Sequence, residues 1–170
     1  MNYLKHLKTI LIHKWYVGRE CFKRGLYWQG IVHDLSKFSY VEFIWSARFY
    51  QGTKSPIGVE KTEMGYSRAW LNHKAKNKHH WEYWTDFFDG EIKGVPIPDK
   101  YIKEMACDMI GAAKTYSKGT YVPGMAWQYF NDRRENFIMQ GKSKDRLEYL
   151  LCKYEQITSL KNLQDAHIHN

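Results

Sequence analysis

Two residues able to do chemistry stand side by side at His33 and Asp34, in the run Ile31-Val32-His33-Asp34-Leu35-Ser36-Lys37-Phe38. An imidazole nitrogen next to a carboxylate oxygen is a ligand pair for a divalent ion, and that donor mixture suits Mn, Fe, Co, Zn or Mg. An isolated His-Asp pair is more often a satisfied core histidine beside a helix cap. Three other features argue against that here. His13 lies near the apolar stripe of a first helix. His73, His79 and His80 fall close together, with Asn77 among them. Asp108 sits within Met105-Ala106-Cys107-Asp108-Met109-Ile110, where a carboxylate is costly without a partner. A bound cation would be that partner.

Some assignments stay open at this level. His6 lies two helical turns before His13 on the same face and competes with it as a ligand. An unbroken helix puts His73, Asn77 and His80 on one side and favours His80; a break near Asn77 makes His79 equally good. Lys37, three residues after Asp34, projects beside the pair and offers a positive point charge to a bound anion. Arg68, Lys74 and Lys78 flank the second histidine group and either line the same mouth or sit on a solvated face. Trp81, Tyr83 and Trp84 either wall a pocket or pack a core.

These residues must be positioned by helices. Leu4, Leu7, Leu11, Trp15, Gly18 and Phe22 recur every three or four residues, the spacing of one helical face, with Gly25 as a stop. A short helical segment from Leu26 to Val32 leads into His33-Asp34. Ser39 with Glu42 three residues on reads as a capping box opening a helix that ends near Gly52. A loop with Pro56 follows to Gly58, and helix resumes from about Lys61 into the aromatic block at 79–84. The Gly- and Pro-rich stretch from Asp89 to Pro98 reads as a loop or at most a small hairpin. A helix is expected over 99–116, with Ile102, Met105, Met109 and Ala113 on its stripe. Two more are expected near 126–139 and 144–160, the second capped by Ser143. The class is all-α: a compact bundle of six to seven helices without a convincing strand. It forms one domain over 1–163 with a flexible tail over 164–170 that includes His167 and His169.

Composition bounds the rest. With 170 residues, 44% hydrophobic and 26% charged, the chain has the proportions of one globular domain. A net charge of +8, spread along the chain, favours anionic partners such as phosphate esters, nucleotides or nucleic acid. Aromatics reach 16%, enough to fill a core and to leave a pocket or partner surface. Cys21, Cys107 and Cys152 are too widely spaced for a Cys-type zinc site or a disulfide framework and read as buried thiols. No apolar run approaches the roughly 20 residues that span a bilayer. The expectation is a cytoplasmic protein without a membrane partner.

His13, then His33-Asp34, then Asp108 on a helical chain resembles the H…HD…D signature of the HD-domain metal-dependent phosphohydrolases. The segment Val32-His33-Asp34-Leu35-Ser36-Lys37 is similar to that superfamily's apolar-His-Asp-apolar-Gly-Lys box, with Ser36 where Gly is common. Most of the chain also resembles a small uncharacterised bacterial and phage family. The matching elements are His33 to Ser39, His73 through Trp84, and a helix carrying Pro98, Glu104, Met105 and Asp108. The first resemblance implies an HD-like bundle in which His13, His33, Asp34 and Asp108 hold one metal. His73 with His79 or His80 would hold a second, sharing Asp34. It further implies hydrolysis of a nucleotide or other small phosphate ester by metal-activated water. Lys37 would hold a phosphate oxygen, and His80 would protonate the leaving group. Two other readings are a basic, aromatic-rich nucleic-acid-binding protein and a metal-binding protein without catalysis.

Overall fold

The computed structural model describes residues 2–157. The expected tail and its His167 and His169 lie outside them. The architecture is mostly helical, with eight α-helices and one two-stranded hairpin among the described residues. In chain order the helices are α1 (Tyr3–Phe22), α2 (Tyr27–Val32), α3 (Tyr40–Arg48), α4 (Pro56–Met64), α5 (Arg68–Lys76), α6 (Asp99–Tyr116), α7 (Met125–Asn131) and α8 (Gly141–Tyr154).

The centre of the fold is the pairing of α1 with α6, and it is unusually close. A Cβ added at Gly111 of α6 would lie 2.4 Å from Val17 Cγ2 and 3.0 Å from the Val17 backbone nitrogen. Only glycine lets the two helices meet there. On the far side of α6, the main core gathers Ile102, Met105, Ala106 and Ile110 with Phe130 of α7 and Leu147, Leu150 and Leu151 of α8. Trp81 and Trp84 pack against this core, so they are core rings and not pocket walls.

Several expectations are corrected. The apolar stripe of α1 points outward: Leu4 is 82% exposed and Trp15 64%. The buried face carries His6, Ile10, His13, Val17, Glu20 and Cys21. Periodicity found the helix but named the wrong face, because the inward one carries the polar side chains His6, His13 and Glu20 among its apolar ones. Glu20 is held by Lys23, Arg24 and Lys114.

The stretch expected to be a loop or small hairpin does contain a hairpin, but it starts earlier. Thr85–Phe88 pairs antiparallel with Glu91–Gly94. Asp89 and Gly90 both take positive φ, 55° and 79°, the demand of a tight two-residue turn that Asp-Gly meets well. The single helix expected from Lys61 is two. Gly65 at φ 78° ends α4, and the Ser67 hydroxyl then caps α5 by accepting from Trp70 N at 2.9 Å. Pro56 opens α4 instead of lying in a loop, since its fixed φ suits a first helical turn. α3 stops at Arg48, short of Gly52. Ser143 lies inside α8 and does not cap it; its hydroxyl accepts from Ile97 N at 3.1 Å. Cys21 and Cys107 are buried, whereas Cys152 is only half-buried.

Candidate metal centre

Four separate parts of the chain converge beside α6. α1 brings His13 from its buried face. α2 ends at His33, whose carbonyl, with that of Ile31, accepts from the Lys14 ammonium at 2.9 and 2.6 Å. That clamp ties the end of α2 to α1. Asp34 then turns the chain at φ 55°, the left-handed region that a non-glycine residue seldom adopts. The turn starts a short 3-10 helix over Leu35–Phe38 that carries Lys37. α5 contributes His73, and the backbone becomes extended at Asn77, which breaks the helix. After that break both His79 and His80 reach the centre, so neither excludes the other. α6 contributes Asp108.

All seven residues expected as ligands come together, in two groups that share Asp34. In the first, Asp34 Oδ2 lies 3.3 Å from Nε2 of both His13 and His33. Asp108 Oδ1 lies 3.1 and 3.5 Å from the same two nitrogens. In the second, Asp34 Oδ1 lies 3.3 Å from Nε2 of both His73 and His79. His80 Nε2 is 2.8 Å from His73 Nε2. Two ligand atoms bound at about 2.1 Å to one ion are roughly 3.0–3.4 Å apart at octahedral or tetrahedral angles. The spacings of Asp34 to its four histidines and of Asp108 to His13, 3.1–3.3 Å, fall in that range.

Several of the donor atoms also lack a hydrogen-bond partner, although Asp34 Oδ2 is ion-paired with Lys37 and His73 Nε2 contacts His80 Nε2. Nε2 of His13, His33 and His79 and both oxygens of Asp34 are buried and make no well-formed hydrogen bond. Their mutual contacts are short enough but badly aligned. Buried polar atoms are rarely left so, and a divalent cation on each side of Asp34 would satisfy them together. The donor set therefore fits a metal pair.

A surrounding layer of carboxylates fixes the imidazoles. Glu104 Oε1 accepts from Nδ1 of His33 at 3.0 Å and of His79 at 3.2 Å. Glu42 Oε2 accepts from His73 Nδ1 at 2.8 Å. With Nδ1 carrying the proton, each Nε2 lone pair is free for an ion, the usual carboxylate-histidine-metal arrangement. The sequence reading gave neither glutamate a role at the site, although Glu104 stood in the matching helix with Asp108. Glu104 had a signal: it is one turn before Asp108 on the same face of α6. Glu42 was read as half of a capping box. Ser39 does accept from Glu42 N, at 3.5 Å, but the carboxylate reaches His73 and Asn72 instead of returning to the cap.

Charge coupling is strong. Burial works against the negative charge on Asp34, but His33, Lys37 and His73 outweigh it and hold its pKa well below the usual range. Asp108 is likewise pulled down against burial, by His13 and His33. His80 is pushed well below the ordinary value by burial and then by His79 and His73. It stays neutral, which suits a ligand better than a proton donor. Lys37 Nζ is 2.5 Å from Asp34 Oδ2.

A cavity opens beside the centre, lined in part by His13, His73, Lys37 and His6. His6 belongs to neither ligand group. Arg68, Lys74 and Lys78 do not line the cavity; Arg68 stacks on Trp45 and Lys78 faces Tyr83. No described helix is long and apolar enough to cross a membrane. No curated protein and no solved structure matches this chain. Residues 2–153 match the model described as a family of unknown function (DUF5662), and the chain belongs to that family.

Proposed function

We propose that this protein is a metal-dependent phosphohydrolase acting on a small phosphate ester. The observation that carries the reading is Asp34: each of its two buried oxygens faces a different set of histidines. Two ions sharing one carboxylate would need that layout, and a cavity with Lys37 on its wall lies beside it. The resemblance to the H…HD…D signature supports the same reading.

His13, His33 and Asp108 would hold one ion and His73, His79 and His80 the other, with Asp34 shared. Two such ions withdraw charge from a phosphoryl group and make water nucleophilic at neutral pH. The remaining work falls to the chain. Glu104 and Glu42 keep the imidazoles in the ligating tautomer. The strained turn at Asp34, clamped through Lys14, aims both carboxylate oxygens outward from one residue. Lys37 pairs with Asp34, and its ammonium would be the group placed to hold a non-bridging phosphate oxygen. In hydrolysis, water oxygen joins phosphorus, the ester oxygen leaves, and the water proton ends on that leaving oxygen.

The test begins with elemental analysis of protein purified without added metal, followed by a panel of phosphate monoesters and nucleotides. Turnover with Mn, Co or Zn that a chelator abolishes is the expected result. Metal-loaded protein that is inactive across the panel would overturn the catalytic reading. Absence of any bound metal would overturn the site itself.

A further inference from the structure

His6 is a buried polar residue that belongs to neither ligand group of the candidate metal centre. It sits on α1 two turns before His13, about 10 Å along the helix axis at 1.5 Å per residue. Its ring packs 5.4 Å from both Phe43 and Tyr50. The residue is 4% exposed, yet neither ring nitrogen has a hydrogen-bond partner. It lines the same cavity as His13 and Lys37, and Thr9, Ser55 and Tyr116 are among the other lining residues.

The lining of this cavity mixes two chemistries. The candidate ligands His13 and His73 stand with Lys37, which would draw a phosphoryl group once metal is bound. The hydroxyls of Thr9, Ser55 and Tyr116 and the His6 imidazole offer neutral hydrogen-bonding groups. Burial, and then the charge on Lys37, lower the His6 pKa to about 4. The ring is therefore neutral at pH 7 and offers one donor and one acceptor. Such a lining matches alcohol groups, which also donate and accept. The cavity volume of about 50 Å³ holds on the order of three to five waters, at about 10–15 Å³ each. That is the room taken by a short hydroxylated carbon chain, and too little for a nucleobase with its ribose.

We infer that the cavity receives the hydroxylated end of the substrate and that His6 reads it. The substrate class is the phosphate monoester of a short polyhydroxy chain, its phosphoryl group on the metal centre and a hydroxyl on His6. This rests on the phosphohydrolase reading and narrows it.

The test is binding, measured by calorimetry on the full chain loaded with metal. The probes are inorganic phosphate, glycerol 3-phosphate, ribose 5-phosphate and adenosine 5′-monophosphate. The two polyol phosphates should bind about tenfold or more tighter than inorganic phosphate, the worth of one or two buried hydrogen bonds. The nucleotide should gain no such advantage. His6→Leu should remove most of the gain while leaving metal content and phosphate affinity unchanged. Should His6→Leu fail to fold, Tyr116→Phe, which deletes one hydroxyl from the same wall, should reduce the gain instead. A nucleotide that binds as well as the polyol phosphates, or a gain untouched by both variants, overturns the inference while phosphate binding keeps the hydrolase reading alive. Metal-loaded protein that binds no phosphate at all overturns both.

Discussion

Glu104→Gln tests the metal centre at its most economical point. One oxygen, Oε1, serves His33 at 3.0 Å and His79 at 3.2 Å. Glutamine keeps the size and one acceptor but removes the charge. Each charge-assisted bond, worth about 1.5–3 kcal/mol, becomes a neutral one worth about 0.5–1.5, a loss of about 1–1.5 kcal/mol per histidine. His33 belongs to one ligand group and His79 to the other, so the loss falls on both ions. At about 1.4 kcal/mol per tenfold, each Kd should rise roughly 5- to 12-fold, and the product of the two roughly 30- to 150-fold. The change per ion lies at or just below the lower end of the roughly 10- to 100-fold expected for partners behind metal-bound histidines. Glu42→Gln is the internal control: Glu42 touches His73 and neither His33 nor His79, so one affinity alone should fall. Competition against a chromophoric chelator resolves two binding steps, and unfolding of the metal-free proteins confirms that both variants fold. Two unchanged Kd values in Glu104→Gln, or a change in one step only, would refute the shared-carboxylate account.

Asp34→Ala should lose both metals, all turnover and the metal-dependent part of the melting temperature, because a ligand of the folded state stabilises it by mass action. Lys37→Ala should keep its metal and fall about 10- to 100-fold in turnover, one charge-assisted contact being worth about 1.5–3 kcal/mol; loss of metal from that variant would contradict the phosphate role. Gly111→Ala drives a Cβ into Val17 and should cost about 1–3 kcal/mol, read as a lower melting temperature, with weaker binding at the His13-Asp108 position because both helices carry its ligands. Glu20 should govern acid sensitivity. Its folded pKa is lowered to about 2 by Lys114, Arg24 and Lys23 against the cost of burial, so its contribution is present above the ordinary pKa of 4.5 and disappears as pH falls towards 2. Wild type should exceed Glu20→Gln by about 1–3 kcal/mol at pH 7, and the gap in denaturant titrations should close between pH 4.5 and 2; a gap independent of pH would remove the ion pairs from the account.

The helical class was legible because the long periodic segments are long: α6 spans the expected 99–116. The His-Asp pair with Asp108 was legible because a carboxylate inside an apolar run demands a partner. What was not legible followed from tertiary choice. On α1, sequence cannot say which face turns inward when the true core face holds His6, His13 and Glu20 and the apolar one meets water. The choice between His79 and His80 depended on one backbone angle at Asn77, where the helix ends and both rings swing to the centre. Glu42 was hidden by a motif that it half fulfils. The hairpin was anticipated only as a possibility because its strands are four residues each, and its Phe87, Phe88 and Ile92 are exposed and leave no buried face to read.

The ligands differ greatly in how far the chain must travel to bring them together. His73, His79 and His80 lie within one short stretch and can meet as soon as α5 and the turn after it form. His13 and Asp108 are separated by most of the protein and meet only when α1 docks on α6 across Gly111. Closing a loop of that length carries a larger entropic cost, and such contacts form late in folding. On the proposed metal reading, the two halves of the centre would mature in sequence. Metal present during folding would then meet the histidine trio before Asp34 and Asp108 are in place and be captured in an incomplete site. Metal supplied after folding would meet both halves at once, so the order of addition should decide how completely a refolded preparation is loaded.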